Sequence, residues 1–554
     1  MPKARLHGSG AISGGHQTAC DAGRALLERG GNAIDALVGA AFASFASEPA
    51  SCGIGGYGHL AGYMAADKRF FSIDHHVRAP RALTTEAFEI DYDADATGLH
   101  RPRVKGDRNI WGPLAVAVPG AVAGLWDAQE RYGRLSARDV LRPGIELAEA
   151  GIVVDERLRM HIESRTTEIS QLPDTAAWLL PGGNVPSVGS RLDGSALART
   201  LKTIAEQGPR CLYEGPLAER ISKYVLALGG VLSEADLSTY QPRHSYESPD
   251  HFLGYQYVTG TDPLGYSLVR LLSSIGIDRY EPESVDFLHL MAEALGHAYV
   301  DHMTYAGDPA FCRVPLHGLM SPGFAAARAS HISLEKAAPR PIVAGNPWPF
   351  EEDPPDRGDP PSASTGGIEG TSQVTAIDSD GNVAALITTL SHPFGSLVMV
   401  PEIGIVLNDG IHVFDPRPGR NNSIAGGKTP IFYAPVYVAV RDDGAVFAAS
   451  GSGGYRITTA VTTTMLMHLM CNRPLDEATH HPRVHCQGAE TYVDSRVPET
   501  CVAGLRSRGH EVVREEHGPR HFAFGRVSAV SSDRGCLSLA ASGDPSGVTA
   551  ALTW

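Results

Sequence analysis

The Gly370-Thr371 bond is the position at which a single cut would create a complete catalytic group in this chain. A Pro-rich stretch precedes the bond. The segment after it alternates apolar and polar residues, and this pattern predicts a strand, a tight turn at Asp380-Gly381-Asn382 and a second strand. If the chain were cut here, Thr371 would carry both a hydroxyl and a free α-amine, that is, a nucleophile with its own general base. Ordinary strands often begin with Thr-Ser-x-Val as well, so the residues alone leave open whether the chain is cut here or merely begins a strand.

A second candidate is the glycine-rich turn at residues 450–454, Ser-Gly-Ser-Gly-Gly. It follows the apolar segment 446–449 and precedes a predicted helix that begins near Tyr455. Backbone N–H groups at a helix N-terminus bind anions, so the turn could hold a phosphate, stabilise an oxyanion or merely connect two elements. A P-loop lysine is absent, which argues against nucleotide phosphates, and no G-x-S-x-G elbow supports a serine hydrolase.

Two further patterns carry weaker signals. Residues 53–58 match G-x-G-x-x-G, but they follow a predicted helix and lead into a strand, which is the reverse of a dinucleotide site and favours a tight glycine turn. The paired or clustered histidines lack the H-E-x-x-H spacing, so we interpret them as core or surface hydrogen-bonding residues. These are His75, His76, His480, His481 and His485. The sequence therefore predicts no metal and no cofactor.

Composition limits the partners. The chain has 554 residues, 43% hydrophobic and 20% charged, which is typical of a soluble globular protein. A net charge of −15 argues against nucleic acid and anionic membrane as partners. No apolar run reaches the roughly 18 residues that a membrane span needs, and the first residues lack a secretory apolar region. Eight cysteines without a C-x-x-C pair predict free thiols, and we expect a cytoplasmic protein.

The elements that must position the candidates come from both ends of the chain. Periodicity predicts helices over 16–30, 33–46, 196–207 and 284–302 within a mainly helical middle, and a helix near 457–471. Residues 337–370, rich in Pro and Gly, predict an exposed connector. Strands are predicted at 59–64 and from 371 to about 456. Because neither half has enough strands to cover its helices, we expect one α+β body built from both halves.

From residue 15 onward, the chain resembles the γ-glutamyltransferase (glutathione hydrolase) family of the N-terminal-nucleophile hydrolase superfamily. The motifs that carry the resemblance include Gly30-Gly31-Asn32-Ala33-Ile34-Asp35-Ala36, Glu48-Pro49, Gly53-Ile54-Gly55-Gly56, Val118-Pro119-Gly120, Asp380-Gly381-Asn382, Gly404-Ile405-Val406-Leu407-Asn408 and Gly451-Ser452-Gly453-Gly454-Tyr455. The resemblance implies a four-layer αββα sandwich and self-cleavage between Gly370 and Thr371. A large fragment (1–370, ending in the connector 337–370) and a small catalytic fragment (371–554) would stay associated as a heterodimer, possibly as a dimer of heterodimers.

The resemblance also implies roles at the site. Thr371 matches the nucleophile, Thr389 matches a threonine that positions it, and Gly453 and Gly454 match the oxyanion pair. The family's substrate contacts are altered: His76 stands where an arginine clamps the α-carboxylate, although Arg78 is two residues away. The further predicted substrate-binding residues are Ser391, Asn408, Asp409, Phe432 and Tyr433.

Several of these positions depart from the pattern that grips a γ-glutamyl group. Ser391 replaces an Asn, Gly410 and Val413 replace a Gln and an Asp, and Ile431-Phe432-Tyr433 replaces a Ser-Ser pair. A buried ammonium and carboxylate need paired partners, so the zwitterionic glutamyl head fits this site poorly.

Three hypotheses follow. The first is an amidohydrolase or acyltransferase that cleaves a small-molecule amide through a Thr371 acyl-enzyme, with a non-glutamyl, small or apolar acyl group; hydrolysis is weakly preferred to transfer. Relatives in the resembled family include an oxamate amidohydrolase and cephalosporin acylases. The second is a true γ-glutamyltransferase in which Arg78 and His76 hold the carboxylate. The third is an inactive binding homologue that stays uncut.

Overall fold

The computed structural model describes residues 10–93, 102–261, 263–352, 370–518, 521–533, 538–544 and 550–553. Within these ranges the chain forms an α+β fold with two large antiparallel sheets. The strands are β1 (Gly10–Gly14), β2 (Tyr57–Met64), β3 (Arg69–His75), β4 (Ile90–Asp91), β5 (Arg103–Val104), β6 (Ile152–Val153), β7 (Arg191–Leu192), β8 (Arg243–Glu247), β9 (Asp250–Phe252), β10 (Tyr255–Val258), β11 (Gly370–Asp378), β12 (Val383–Ser391), β13 (Met399–Val400), β14 (Ile405–Val406), β15 (Tyr437–Arg441), β16 (Val446–Ser452), β17 (Val484–Cys486), β18 (Thr491–Asp494), β19 (Val512–Glu515), β20 (His517–Gly518), β21 (His521–Phe522), β22 (Arg526–Ser532), β23 (Leu539–Gly543) and β24 (Ala550–Thr553).

Helices cover both outer faces of the two sheets. They are α1 (Gln17–Glu28), α2 (Ala33–Ser47), α3 (Ala121–Tyr132), α4 (Ala137–Glu149), α5 (Glu156–Ser164), α6 (Thr166–Ile169), α7 (Pro173–Leu179), α8 (Ser195–Gln207), α9 (Arg210–Tyr213), α10 (Pro216–Ala227), α11 (Glu234–Ser238), α12 (Pro263–Ile275), α13 (Val285–Tyr305), α14 (Leu316–Leu319), α15 (Pro322–Ala329), α16 (Arg456–Met465), α17 (Leu475–His480) and α18 (Glu499–Ser507). A π-helical turn, Leu466–Met470, extends α16, so the helix predicted near 457–471 forms but changes its winding.

The two sheets lie face to face between the helical layers. The first has the order β24-β1-β11-β12-β2-β3-β8 and the second β23-β22-β16-β15-β10-β9. Strands β11 and β12 pack against β16 of the second sheet, α1 and α2 cover the outer face of the first sheet, and α16 and α17 cover the second. The predicted four-layer αββα sandwich is confirmed.

Strands from both sides of residue 370 alternate in the first sheet. β11 pairs with β1, and β12 pairs with β2, so the strand that begins at Gly370 lies between segments that are far away in the chain. This confirms one body built from both halves. The helical middle also contributes β8, β9 and β10 to sheet edges, which the sequence analysis did not predict.

Alternation along β11 sends its side chains to opposite faces. Val374 and Ala376 pack with the helix α2, whereas Ile377 packs with the apolar residues between the two sheets. Gln373 lies on the same face as Ile377 and donates to Ser528 Oγ of β22 at 3.3 Å. Thr371 has the same parity as Gln373, so its side chain faces the second sheet.

Three further predictions concern the cysteines, the connector and membrane-spanning helices. The seven described cysteines are free thiols, in line with the prediction, and Cys536 lies outside the described residues. Residues 353–369 of the predicted connector also lie outside them, whereas residues 337–352 contain one 3₁₀ turn, Trp348–Phe350. In the described part of the chain, every helix is too short or too polar to cross a bilayer.

The Asp35 carboxylate ties the start of α2 to the loop after α3. It is fully buried and accepts hydrogen bonds from the backbone N–H groups of Asn32 (2.7 Å), Arg134 (3.0 and 3.1 Å) and Leu135 (3.0 Å), and from Gln129 Nε2 (2.6 Å). Removing this shared acceptor would take a partner from four donors, of which Gln129 Nε2 would keep the Leu135 carbonyl at 3.0 Å and the three backbone N–H groups would lose theirs.

We therefore expect Asp35→Ala to lower the free energy of unfolding by at least about 3 kcal/mol, since each buried unpaired donor costs about 1–3 kcal/mol. Urea unfolding followed by circular dichroism measures the shift. The control is Asp21→Ala on the exposed face of α1, which we expect to change stability by less than about 0.5 kcal/mol. Equal shifts for the two variants would contradict the role of Asp35.

Candidate active site

The hydroxyls of Thr371 and Thr389 meet between the sheets. The two residues are direct cross-strand partners in the β11–β12 pair, and their Oγ1 atoms lie 3.1 Å apart. The register shifts between Gly370 and Thr371, so the regular ladder breaks at the bond where the sequence predicts a cut. Both threonines are buried, at 8% and 5% exposure.

Counting protons assigns the direction of these hydrogen bonds. Thr389 Oγ1 lies 2.5 Å from the Gly370 carbonyl oxygen, which only accepts, so Thr389 donates its one proton there. The Thr371 hydroxyl must then donate to Thr389 Oγ1, which also accepts from the Ser391 N–H at 2.8 Å. Thr389 therefore polarises the Gly370 carbonyl and at the same time orients the Thr371 hydroxyl beside it.

The backbone of Ser391 and His392 presses on Gly370. A Cβ atom at position 370 would lie 2.5 Å from the carbonyl carbon and oxygen of His392 and 2.7 Å from the carbonyl oxygen of Ser391. These are backbone atoms that move only with the whole segment, so glycine is required before Thr371.

We expect Gly370→Ala to slow any cut at the 370–371 bond by about tenfold or more, because forcing a methyl group into packed backbone costs about 1–3 kcal/mol. Denaturing electrophoresis of samples taken over time measures the rate. Gly518→Ala, at a position with no atom within 4 Å of its Cβ position and no positive φ, is the control for a glycine replacement. Unchanged cutting in Gly370→Ala would show that the segment gives way.

Ser391 adopts a left-handed backbone conformation, with φ at 83°, which is uncommon outside glycine. Its Oγ is hydrogen-bonded to the Tyr57 hydroxyl, and its N–H is held by Thr389. Burial raises the pKa of Tyr57 well above its ordinary value, so this hydroxyl keeps its proton. The strained residue is thus fixed from both sides, beside the threonine pair.

Behind the strand, Ser372 points to the opposite face. Its hydroxyl donates to Glu48 at 2.8 Å, and the other oxygen of that buried carboxylate lies 3.2 Å from Arg157. Glu48, of the Glu48-Pro49 motif, therefore bonds to the residue that follows Thr371. It supports the strand and does not line the cavity.

The glycine turn lies opposite the threonines, between β16 and α16. Gly453 and Gly454 have positive φ values of 124° and 58°. The carbonyl of Gly453 accepts from the Arg456 N–H at 3.2 Å, at the start of the helix. In a trans peptide the N–H points opposite to the carbonyl, so the N–H of Gly454 points away from the helix. Of the two predicted oxyanion residues, Gly454 lines the cavity beside Thr371.

This cavity has a volume of about 30 Å³. Its lining residues are Tyr57, His76, Thr371, Ile387, Thr389, Ser391, His412, Val413, Phe432, Tyr433, Ala434, Gly454 and Ile457. The described lining therefore contains aromatic, aliphatic and polar side chains, and none from Asp, Glu, Lys or Arg. Such walls suit an uncharged group.

Five of the seven predicted substrate-binding residues lie in or beside the cavity. His76, Ser391, Phe432 and Tyr433 line it. Asp409 lies behind it, fully buried, and accepts from the backbone N–H of His392 at 3.1 Å and from the His392 ring. The same carboxylate lies 3.6 Å from His412.

The other two residues have different surroundings. Arg78 donates to the carbonyl of Gln241 at 2.9 Å and lies over the Tyr240 ring. Asn408 Nδ2 donates hydrogen bonds to the backbone carbonyl groups of Gly55 (2.8 Å) and Ala117 (3.0 Å). Neither lines the cavity, so the structure does not bring a cation from Arg78 to the threonine pair.

Sequence reasoning missed Tyr57 and His412 as cavity residues. Tyr57 lies inside the glycine-rich segment 53–58, whose glycines allow close approach to β12: a Cβ at Gly56 would lie 2.5 Å from the Thr389 carbonyl oxygen. That approach, rather than a nucleotide, explains the glycines. His412 lies just beyond Asn408 and Asp409, and the turn Gly410–Val413 carries it into the cavity.

Two buried groups could in principle hold a metal ion: His392 with Asp409 and His412, and His289 with Glu293 and His510. In the second group, His289 Nε2 donates to the Ser333 carbonyl at 2.7 Å, and its Nδ1 therefore accepts from His510 Nε2 at 2.6 Å. Both groups are joined by hydrogen bonds, so the arrangement is accounted for without an ion.

The predicted hydrogen bonding of the sequence's histidine pairs is only partly found. His485 Nδ1 lies 2.7 Å from Thr459 Oγ1. His75 and His76 are buried, and in the described residues no hydrogen bond of standard length and angle reaches a ring nitrogen of either side chain. Their rings interact with the backbone of Ile73 and Val77, respectively, so the prediction of hydrogen-bonded core histidines is met only by these weaker contacts.

Comparisons with known proteins identify the family. The family model described as gamma-glutamyltranspeptidase matches residues 19–554. The chain belongs to the γ-glutamyltranspeptidase family. The resemblance inferred from the motifs is thereby confirmed.

Individual members of the γ-glutamyltranspeptidase family show two kinds of relative. The chain is 34% identical to an "Acylase ACY 1 proenzyme" of Pseudomonas sp. (strain V22), over 91% of this chain and 87% of the relative. It is 31% identical to a "Glutathione hydrolase proenzyme" of Bacillus subtilis (strain 168), over 95% and 88%. A cephalosporin acylase structure from Bacillus halodurans superposes with a TM-score of 0.83 at 25% identity, covering 99% of this chain and 96% of that one. The two relatives compared by sequence are thus an acylase and a hydrolase, and both are named as proenzymes.

Proposed function

We propose that the chain is a self-processed amidohydrolase whose nucleophile is Thr371, acting on amides with an uncharged, non-glutamyl acyl group. The observation that carries this proposal is the contact of Thr389 with both the Thr371 hydroxyl and the Gly370 carbonyl. Two hydrogen bonds thus aim a nucleophile and polarise the carbonyl next to it, at the bond whose cutting would make Thr371 an N-terminal residue.

In the proposed self-cleavage, Thr371 Oγ attacks the Gly370 carbonyl carbon, and the C–N bond to Thr371 breaks as that nitrogen takes up a proton. The product is an ester between Gly370 and Thr371. Water then hydrolyses the ester, which gives a Gly370 carboxylate and a free Thr371 amine and hydroxyl. Thr389 passes the hydroxyl proton and stabilises the oxygen of the tetrahedral intermediate.

In the proposed amide reaction, the freed amine of Thr371 accepts the proton of its own hydroxyl as Oγ attacks the substrate carbonyl. The N–H groups of Gly453 and Gly454 stabilise the oxyanion, the amine product leaves with the proton, and water releases the acid from the acyl-enzyme. Hydrolysis with water as the acceptor is the simplest case, and transfer to another amine uses the same acyl-enzyme.

The cavity supports an uncharged acyl group. His76 occupies the position at which the family pattern has an arginine, and burial, followed by the nearby His59, lowers the pKa of His76 to about 3. A neutral imidazole provides no positive charge for an α-carboxylate. Phe432 and Tyr433 supply apolar wall beside it.

A γ-glutamyl substrate is the second candidate, favoured by the 31% identity to a glutathione hydrolase. We expect an alkanoyl p-nitroanilide to be hydrolysed at least about tenfold faster, by kcat/KM, than γ-glutamyl p-nitroanilide, because burying an unpaired charge costs several kcal/mol. The two probes share a leaving amine, so the ratio reports the acyl group alone. Faster turnover of the γ-glutamyl probe would overturn the acyl assignment while leaving Thr371 as nucleophile intact.

We also propose that fragments 1–370 and 371–554 stay together as a heterodimer after the cut. The support is that β11 and β12 lie between β1 and β2 in one sheet, so separating the fragments would open the sheet on both sides. The cytoplasmic location stays a prediction from the sequence.

A further inference from the structure

His76 is a buried imidazole whose ring nitrogens make no hydrogen bond of standard geometry in the described residues, and it faces the same cavity as Thr371. The side chain belongs to a residue with 5% exposure. Its ring lies 4.7 Å from the ring of Tyr57 and 5.0 Å, edge to face, from that of Phe432. Within the described residues, no hydrogen bond of standard length and angle reaches Nδ1 or Nε2, and the ring has only a weaker polar contact with the backbone of Val77.

The backbone of His76 is fixed at both of its polar groups. Its N–H donates to Asp74 Oδ1 at 2.9 Å, and its carbonyl accepts from the Tyr240 hydroxyl at 2.7 Å. With two aromatic neighbours against the ring, the side chain has little room to turn toward another partner. The imidazole is therefore held with its polar atoms unused at the cavity wall.

An unused polar group in such a place is unfavourable for stability. A buried donor or acceptor without a partner destabilises the fold, and native structures contain few of them. Phenylalanine would fill the same space without that penalty. A ligand that supplies the missing hydrogen bond would remove the penalty only while bound, and would thus be recognised.

The chemistry of the partner follows from the state of the ring. A neutral imidazole offers one donor and one acceptor. Since the described lining has no Asp, Glu, Lys or Arg side chain, a carboxylate or ammonium at this wall would meet none of the permanent counter-charges that such side chains supply. A hydroxyl, carbonyl or amide group needs none.

We propose that His76 recognises the substrate by forming a hydrogen bond to an uncharged polar group, such as a hydroxyl, on the acyl part of the amide. This inference rests on the proposed function and narrows its substrate class from uncharged acyl groups to those that carry a hydrogen-bonding atom. Tyr57 and Phe432 then pack around the carbon chain that leads to that atom.

The test compares matched acyl chains on one leaving amine. Short ω-hydroxyalkanoyl p-nitroanilides are paired with alkanoyl p-nitroanilides of equal heavy-atom count, and kcat/KM is measured for each pair over a series of chain lengths. For at least one length we expect the hydroxylated member to be preferred by about tenfold or more, since sites built for a hydrogen bond discriminate strongly against analogues that lack it.

Two variants assign the preference to the ring. In His76→Phe the ratio should fall to about one, and in His76→Gln, which keeps a donor and an acceptor, it should stay within a few fold of the wild-type ratio. The matched control is His161→Phe. His161 is also buried, with an unpartnered Nε2 and a pKa lowered by burial to about 3, but it lies outside the cavity, so the ratio should not change.

Each outcome decides between the two proposals. Turnover without any preference for the hydroxylated chains, or a preference that survives in His76→Phe, overturns the role of His76 and leaves the amidohydrolase intact. If the wild-type ratio is high but His76→Phe does not fold, the retained ratio in His76→Gln and in the control still supports the assignment. No turnover of any anilide by the fully cut chain, with no acyl adduct by mass, overturns both.

Discussion

We expect Thr371→Ala to stay a single full-length chain and to hydrolyse no acyl anilide. The substitution removes the hydroxyl that is hydrogen-bonded to Thr389 Oγ1, the atom that also contacts the Gly370 carbonyl oxygen. Loss of a nucleophile typically lowers the rate by about 10⁴-fold or more. Electrophoresis of aged, purified protein measures the cut, and anilide hydrolysis measures the turnover.

Two controls separate chemistry from folding. Thr371→Ser keeps a hydroxyl and an N-terminal amine, and we expect it to be cut slowly and to retain part of its activity. Thr371→Ala itself should be folded, with a circular dichroism spectrum typical of an α+β protein and a cooperative melting transition. A cut chain, or full activity, in Thr371→Ala would assign the nucleophile to another residue.

We expect Thr389→Val to slow the cut and the turnover by about 10²–10³-fold, which is the usual effect of removing one hydrogen-bond donor to a developing oxyanion. The variant keeps the β-branched shape and loses the oxygen that bonds to Thr371, Gly370 and Ser391. Rates of splitting after purification of the uncut chain, and kcat for an anilide, are the two measurements.

The neighbouring Thr388→Val is a matched control. Thr388 lies on the opposite face of β12, is fully buried, and its hydroxyl has no partner in the described structure. Removing that hydroxyl should leave stability equal or higher and the rate of cutting unchanged. If both variants are slowed alike, the effect belongs to the strand as a whole, and the role of the Thr389 hydroxyl is refuted.

Much of the fold was readable from local patterns. The helices at Gln17–Glu28 and Ala33–Ser47, the strand pair around Asp380-Gly381-Asn382 and the turn before α16 follow from periodicity and turn residues. Their assembly from both halves followed from counting strands. The edge strands β8 to β10 were missed because they are short and sit between helices, where pairing partners distant in sequence decide the structure.

The site was less predictable than the fold. The opposition of Thr371 and Thr389 depends on register, and register follows from the turn between two strands, which the sequence shows. The separation of Arg78 from the cavity could not be read in this way: residues two apart in an extended segment can point in one direction, yet Arg78 is drawn to Gln241 and Tyr240, from a distant part of the chain.

The unpartnered state of His76 was also hidden from the sequence. A histidine pair gives no signal of whether its rings find acceptors, because the acceptors come from other elements. Here the neighbours of the ring are Tyr57 and Phe432, which lie far apart in sequence and offer aromatic surface. Burial among such groups, rather than residue type, sets its neutral state.

The most direct test of the proposed chemistry is intact-mass analysis of the purified chain, before and after exposure to an alkanoyl p-nitroanilide. If Thr371 is the nucleophile, we expect one fragment that ends at Gly370 and a second that begins at Thr371. We also expect a single acyl adduct on the second fragment, which is absent in Thr371→Ala. A chain that stays whole, a cut at another bond, or an adduct on the fragment 1–370 would contradict it.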